Sequence, residues 1–479
     1  MTKLVAGLDG IRSRLEALVA QHRVPGASLA VLDGDQIIDV ATGVANVRTG
    51  VEVDTDTLFQ IGSNTKLYTA TLIMQLVDAG RVDLDSPVRS YIDDFAVADK
   101  DASKQITVRQ LLAHSSGMQG DYFEDFGPGD DCIARYVESL STITQVHPPG
   151  DRFSYCNTGF TVAGHIVERV TTRPFHEVLK ESLLTPLGLR STTVLLEEMV
   201  GFRYAAGHAG GEAGTPQVVP EIIMSRSSAP AGSRTSATAR DVLGFVRMHL
   251  DDGQAADGTR VLSDRSVTAM QRPQLAMPGS PSPNAHIGLG WIMAEWDGQR
   301  VIGHGGGTYG QLSFLQVLPD RRFAVCLLTN STTGTGLWRD LGGWLFDELA
   351  GVTMPEVPRP PDPPPILDLA HYAGRFERLS QRFDLEVEDE ELVMSVTLTG
   401  PLADNVDAPS QRLHLRPIDA ERFVVKMPTG DAMVAFSDFD AKGRPGYLFI
   451  GRAAPRVARV PTKRKKAVTT KTTKKTRSR

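Results

Sequence analysis

A buried-helix pattern that begins at Ser63 and ends before Gly80 constrains this chain more than any other stretch. Apolar residues recur there at three- and four-residue steps, and further apolar residues fill the neighbouring stripe. Gly80 suits the position after a helix C-terminus, so the pattern predicts a helix from about Asn64 to Ala79. Because it is apolar on several sides, this helix is predicted to be buried and central.

Ser63 and Lys66 are three residues apart, which puts both side chains on one face of this helix, one turn apart. A serine hydroxyl becomes an effective nucleophile when a neighbouring base takes its proton. A lysine held against buried surface can be that base, because burial lowers the pKa of an amine. Alternatively, Ser63 is a helix N-cap and Lys66 an exposed cation, and the S-x-x-K pair alone does not decide between these interpretations.

The 479-residue chain is too long for one ordinary core. Strand patterns at both ends of residues 1–354 flank a mostly helical middle. This order predicts an α/β fold of the α+β type, in which an antiparallel sheet is flanked by helices and a helical subdomain packs beside it.

Seven prolines between Pro355 and Pro365 predict a stiff linker at 355–365. Beyond it, apolar and polar residues alternate with a period of two in several short runs. We therefore predict a small C-terminal antiparallel β domain at 366–460, either lipocalin-like or a sandwich.

The last residues, 461–479, form a strongly basic segment. Nine Lys and Arg residues and no acidic residue lie within 463–479. Such a composition predicts a disordered tail that could contact polyanions, nucleic acid among them, without sequence specificity. A solvated tail without specific binding is an equal alternative.

The remaining composition predicts a cytoplasmic protein that does not bind a membrane. No apolar run approaches the roughly 20 residues of a membrane span, and the first residues lack the apolar region of a secretory signal. The three Cys residues are far apart, so they indicate neither a disulfide framework nor a metal site.

A second polar stretch precedes a predicted helix and contains Tyr155 and Asn157, which can point to one side of an extended segment. A tyrosine hydroxyl beside a lysine can relay a proton, and an asparagine amide can orient an acyl carbonyl. Alternatively, Tyr155 is a packed aromatic residue and Asn157 is the helix N-cap. Cys156 lies between them and should face away into packing.

A third stretch, Gly303–Gly310, is predicted to be a glycine-rich turn. Residues 305–310 match G-x-G-x-x-G, but a strand is predicted after them where a dinucleotide site needs a helix, so we reject that function. Dense glycine beside a strand permits close approach of a ligand. The backbone N–H groups of Ser63 and Gly307 could then bind an oxyanion.

Three short motifs in this order, Ser63-Asn64-Thr65-Lys66, Tyr155-Cys156-Asn157 and His304-Gly305-Gly306, resemble those of the serine β-lactamase and penicillin-binding-protein superfamily. The branch that they resemble contains class C β-lactamases, D,D-carboxypeptidases, D-aminopeptidases and esterases. The resemblance covers about residues 8–350 and implies no metal or cofactor. It implies a nucleophile, a base and a proton relay (Ser63, Lys66 and Tyr155) and substrate-binding residues (Asn157, His304, Gly306 and Gly307).

Two departures from the family pattern shape the predicted function. Gly305 stands where many β-lactam-binding members have Thr or Ser, and no export signal is apparent. Both favour an esterase, D-aminopeptidase or similar hydrolase that forms an acyl-enzyme on a small ester or amide. The alternatives are a β-lactamase or D,D-carboxypeptidase and, in another class, a non-catalytic ligand-binding protein; the oligomeric state is left open.

His304 adds a prediction about substrate charge. An unperturbed histidine titrates at about pH 6.5 and is mostly neutral at about pH 7.5. Neutral substrates should then be preferred over carboxylated ones at neutral pH. The preference should narrow toward about pH 6 as His304 gains a proton.

Overall fold

The computed structural model describes residues 7–210, 214–282, 284–400, 403, 410–427 and 430–457. The basic segment 461–479 lies outside these residues, so the predictions about it stay predictions. The α-helices within the described residues are α1 Leu8–Gln21, α2 Thr65–Asp78, α3 Ala102–Gln105, α4 Val108–Leu112, α5 Cys132–Ser139, α6 Asn157–Thr171, α7 Phe175–Leu179, α8 Ala239–Leu250, α9 Asp264–Met270 and α10 Gly334–Leu345.

The strands of the first 330 residues form one large antiparallel sheet and two small ones. They are β1 Gly26–Asp33, β2 Gln36–Gly43, β3 Phe59–Gln60, β4 Thr192–Thr193, β5 His208–Gly210, β6 Pro216–Val218, β7 Ser236–Ala237, β8 Leu275–Ala276, β9 His286–Ile287, β10 Ile292–Trp296, β11 Gln299–Thr308, β12 Gln311–Leu318 and β13 Phe323–Thr329. The described residues of the large sheet have the order β2-β1-β13-β12-β11-β10-β9-β8. Strands from both ends of the segment thus meet in one sheet, which confirms the predicted fold class.

Helices cover both faces of this sheet. Along β1, Ala30 and Leu32 pack into the core on the face of α2, whereas Leu29 and Val31 pack into the core on the face of α1 and α10. This alternation follows from the period of two in a strand. Both faces of β1 are therefore buried.

Helix α2 is the centre of the larger core. It is preceded by a 3-10 turn at Gly62–Asn64, so the helical segment starts close to the predicted Asn64 and ends one residue before the predicted Ala79. Its buried residues occupy nearly every face. Such burial fixes the direction of the first helical turn, in which the polar motif lies.

The C-terminal strands close into an antiparallel barrel. They are β14 Gly374–Arg378, β15 Gln381–Glu388, β16 Glu391–Leu398, β17 Gln411–Pro417, β18 Arg422–Met427, β19 Gly430–Phe439, β20 Pro445–Ile450 and β21 Arg452–Val457, and β14 pairs with β21. Inward-facing side chains, including Phe376 and Phe436, form the barrel core. The β domain was predicted to be either lipocalin-like, which is a barrel, or a sandwich, and the barrel is the form observed.

No helix among the described residues has the length and apolar character needed to cross a membrane.

Candidate active site

Ser63 and Lys66 lie side by side at the start of α2. The Lys66 Nζ atom is 2.9 Å from the Ser63 Oγ atom and donates to the carbonyl oxygen of Ala231 at 2.6 Å. Lys66 is fully buried. The alternative interpretation of Lys66 as an exposed cation is therefore wrong.

Burial sets the protonation of Lys66. Desolvation lowers its pKa well below the usual value, and the positive charge of Arg452 lowers it further. Cys156 and Asp121 act in the opposite direction. A neutral amine can accept the Ser63 proton while it donates to Ala231, so the geometry suits a general base.

Tyr155 lies against the same amine. The Lys66 Nζ atom is 5.0 Å from the centroid of the Tyr155 ring. Burial raises the pKa of the Tyr155 hydroxyl, and its interaction with the Ser63 side chain partly opposes this. The structure thus brings Ser63, Lys66 and Tyr155 into one cluster, in which Lys66 is buried and Ser63 and Tyr155 are half-buried.

His114 holds the segment that carries Tyr155. Its ring packs against the Tyr155 ring with a centroid distance of 4.3 Å and a tilt of 31°, and its Nδ1 atom accepts a 2.9 Å hydrogen bond from the Cys156 N–H. Burial lowers the His114 pKa well below its usual value. A neutral His114 is consistent with Nδ1 as an acceptor.

Asn157 is the first residue of α6, and Cys156 is the N-cap. The Cys156 Sγ atom accepts a 3.3 Å hydrogen bond from the Gly159 N–H. The alternative interpretation of Asn157 as the N-cap is therefore wrong. The Asn157 backbone N–H donates to the carbonyl oxygen of Gly120 at 3.0 Å, and its side chain is partly buried.

The predicted glycine-rich turn at Gly303–Gly310 is wrong for residues 303–308, which belong to β11, and only Tyr309 and Gly310 form a turn. Residues 303–308 pair with β12, with Gly307 opposite Leu312. A β-carbon on Gly306 would lie 2.0 Å from the Ile61 carbonyl oxygen, and one on Gly62 would lie 2.6 Å from the Gly307 nitrogen. Only glycine permits this approach, which puts the Gly307 backbone beside the residue that precedes Ser63.

His304 lies on the same strand, buried to 2% exposure. Its Nδ1 atom is 2.5 Å from the Gly305 carbonyl oxygen. Burial lowers the pKa of His304 to about 3. The prediction that His304 gains a proton toward pH 6 is therefore wrong, because it assumed an exposed ring.

The structure adds site residues that the sequence motifs did not identify. They are His114, Asp121 and Arg452, which lie outside the three motifs at 63–66, 155–157 and 304–306. Within the described ranges, no group of three or more His, Cys, Asp and Glu side chains is arranged to hold a metal ion.

Comparisons with known proteins agree with this geometry. The Beta-lactamase family model matches residues 11–347. Penicillin-binding protein 4 of Amycolatopsis lactamdurans is 45% identical over 370 residues, which cover 77% of this chain and 97% of that protein.

Solved structures extend the similarity. A crystal structure of SurE matches 94% of this chain and 99% of its own, with a TM-score of 0.77 and 28% identity. A second structure, SurE with D-Leu, matches 94% of this chain and 100% of its own, with a TM-score of 0.74 and 27% identity. A D-stereospecific amidohydrolase from Streptomyces sp. matches with a TM-score of 0.55 and 29% identity, over 72% of this chain and 98% of that one. With most of its length matched by the family model and a relative at 45% identity, this chain belongs to the Beta-lactamase family of serine hydrolases.

Proposed function

We propose that this protein hydrolyses amides or esters through an acyl-enzyme on Ser63 and prefers a D-configured acyl group. The observation that carries the proposal is the 2.9 Å approach of the buried Lys66 amine to the Ser63 hydroxyl. The lowered pKa of Lys66 supports a neutral amine that can accept the serine proton. A non-catalytic protein would have no need for a lysine buried at such cost in desolvation.

In the proposed reaction, Lys66 takes the Ser63 proton while the Oγ atom attacks the carbonyl carbon of the substrate. The N–H groups of Ser63 and Gly307 bind the oxygen that becomes negative, which the close approach of Gly62 to Gly307 supports. Tyr155, beside both catalytic groups, relays the Ser63 proton from Lys66 to the leaving group. Water then cleaves the acyl-enzyme and restores Ser63.

Asn157, His304 and Gly306 take substrate-binding roles in this proposal. A neutral His304 offers no charge to a substrate carboxylate at ordinary pH. Gly306 acts by letting β11 approach the turn that precedes α2. Asn157, at the start of α6 and two residues after Tyr155, is proposed to orient the acyl carbonyl.

The preference for a D-configured acyl group rests on similar proteins. The Streptomyces relative is a D-stereospecific amidohydrolase, and SurE has been crystallised with D-Leu. Matched D- and L-phenylalanine methyl esters and p-nitroanilides test the preference directly. We expect kcat/KM to favour the D-enantiomer by about tenfold or more, and an equal or opposite preference would refute this part of the proposal.

The nucleophile is tested with an uncharged fluorophosphonate. We expect one adduct, mapped by peptide mass spectrometry to Ser63, and none in Ser63→Ala. Ser86→Ala, which changes a serine remote from the motifs, is the control and should be labelled like the wild type. An adduct on another residue would refute the assignment.

A second candidate, acylation by β-lactams, is favoured by the 45% identity to Penicillin-binding protein 4. A fluorescent penicillin tests it. Stable labelling that is lost in Ser63→Ala would establish penicillin binding, and rapid turnover of the adduct would indicate a β-lactamase. Cytoplasmic location, esterase activity and polyanion binding by residues 461–479 stay predictions.

A further inference from the structure

The C-terminal barrel packs directly on the segment that carries Tyr155. The Ala453 N–H, on β21, donates to the Ser154 Oγ atom at 3.2 Å. Apolar side chains from the barrel and the rest of the chain share one small cluster, which consists of Val146, Phe153, Ile287, Ala435, Phe449 and Ala453. The barrel therefore contacts the residue next to the proposed proton relay.

Arg452, the first residue of β21, extends from this surface to the Tyr155 ring. The guanidinium carbon is 5.0 Å from the ring centroid, and the Nη2 atom is 2.6 Å from the Asp121 Oδ1 atom. The other carboxylate oxygen of Asp121 accepts a 3.0 Å hydrogen bond from Ser380 of the barrel. A β-carbon on Gly120 would be 2.3 Å from the Tyr155 carbonyl oxygen and 3.1 Å from the Arg452 Nε atom, so this loop passes closely between them.

Two observations indicate more than a structural tie. The buried Nε atom of Arg452 has no hydrogen-bond partner among the described residues. Buried polar atoms normally have such a partner, so packing alone does not explain an arginine at this position. The Lys66 amine also lies 5.0 Å from the centroid of the Tyr155 ring, so the Lys66 amine and the Arg452 guanidinium both contact this one aromatic ring.

Several titratable or charged groups surround the Lys66 amine. They are Tyr155 and Cys156 before and at the start of α6, His114 after α4, His304 on β11, Asp121 on the loop beside Tyr155, and Arg452 on β21. Within this set, Arg452 carries a fixed positive charge and Asp121 a negative one. Their effects on a proton at Lys66 are therefore opposite in sign.

We propose that Arg452 is a positioning residue of the catalytic centre, through which the barrel packs Tyr155 beside Lys66 and disfavours a second positive charge on the Lys66 amine. The inference deepens the proposed function and rests on it, because Lys66 must be neutral to accept the Ser63 proton. Asp121 holds the guanidinium in place and moderates its charge. The barrel is thus part of the catalytic unit through two of its side chains, Arg452 and Ser380, both of which contact Asp121.

The test is the pH dependence of Ser63 labelling by an uncharged fluorophosphonate in the full-length chain. The acid limb of that profile reports loss of the proton from the base. We expect Arg452→Gln to move the limb to higher pH and Asp121→Asn to move it to lower pH, each by roughly half to one unit. Arg452→Lys, which keeps the charge, should leave the limb close to its wild-type position.

Arg152→Gln is the matched control, because Arg152 lies at the same contact surface and pairs with Asp438 at 2.6 Å. The variant removes one positive charge, as Arg452→Gln does, but Arg152 is not among the groups that shift the pKa of Lys66. The acid limb of the Arg152→Gln profile should therefore stay at its wild-type position. Limbs that move in the same direction in Arg452→Gln and Asp121→Asn, or labelling lost at every pH without a shift, would overturn the inference. If Arg452→Gln does not fold, the other two variants decide. An unchanged limb in Arg452→Lys with a limb at lower pH in Asp121→Asn would support the inference, and an unchanged limb in Asp121→Asn would overturn it.

The outcomes also separate this inference from the proposed function. Wild-type enzyme that is not labelled at Ser63 refutes the proposed nucleophile. Wild-type enzyme that is labelled, with variant profiles that do not diverge, refutes only the role of Arg452.

Discussion

The carbonyl oxygen of Ile61 lies so close to Gly306 that a β-carbon on residue 306 would be only 2.0 Å from it. The Gly306→Ala variant must therefore move β11 away from the turn that precedes α2. We expect it to lower the free energy of unfolding by about 1–3 kcal/mol and to reduce activity, because the overlap involves backbone atoms. Denaturant unfolding and kcat/KM measure both effects.

Gly305→Ala is the control for this prediction. A β-carbon there would have its nearest neighbour at 3.8 Å, which is an ordinary contact. Its free energy of unfolding should change by less than about 0.5 kcal/mol. Equal destabilisation by the two variants would show that the close approach of the Ile61 carbonyl is not what requires glycine at residue 306.

The second prediction concerns Lys66. Lys66→Ala should reduce kcat by roughly 10³-fold or more, to an extent comparable with Ser63→Ala, because a nucleophile and its base act as one unit. Steady-state kinetics with the preferred ester measure the loss. Lys104→Ala, which removes a lysine that is largely exposed, should have no such effect. Near-full activity of Lys66→Ala would eliminate Lys66 as the base.

The third prediction is that His304 stays neutral under ordinary conditions. Burial lowers its pKa to about 3, so its ring should take up no proton between about pH 5 and 8. The ring signal, assigned by its loss in His304→Asn, should stay at the neutral position in NMR spectra across that range. A midpoint near pH 6 would show that the ring is solvated.

The same shift has a consequence for stability. The folded pKa of His304 is below the unfolded value, so the unfolded chain binds the extra proton as the pH falls through about 6.5. His304 therefore destabilises the fold progressively below that pH, by up to about 1.4 kcal/mol per pH unit. The free energy of unfolding of His304→Asn should depend less steeply on pH between about 6.5 and 4, and an equal slope would contradict the shift.

The fourth prediction concerns Cys156, whose buried Sγ atom caps α6. Cys156→Ser keeps an acceptor for the Gly159 N–H and should retain most activity. Cys156→Ala removes the acceptor and should lower the free energy of unfolding by about 1 kcal/mol. Thermal melts and kcat/KM of the two variants give the comparison. A loss in Cys156→Ser as large as in Ser63→Ala would assign chemistry to the thiol.

Much of the architecture could be predicted from the sequence, because it is encoded in patterns that are local in the chain. The apolar steps after Ser63 predicted the central helix α2. The alternation beyond Pro365 predicted the C-terminal β domain. The S-x-x-K spacing predicted that Ser63 and Lys66 share a helix face, since three residues make nearly one turn.

Other features depended on partners far away in the chain. The dense glycine of Gly303–Gly310 is typical of a turn, yet pairing with β12 makes residues 303–308 a strand. The pKa of His304 depended on burial, which sequence alone does not determine. Arg452 has no local motif and acquires its position from the packing of the barrel on Ser154 and Tyr155.

The sequence by itself thus determined which side chains are available and their spacing within each turn or strand, because bond geometry and periodicity act over a few residues. The tertiary structure decided which of these groups share one desolvated space. Desolvation and charge interactions depend on distances between atoms rather than on separation along the chain. For that reason Lys66, Tyr155 and Arg452 form one cluster only in the folded protein.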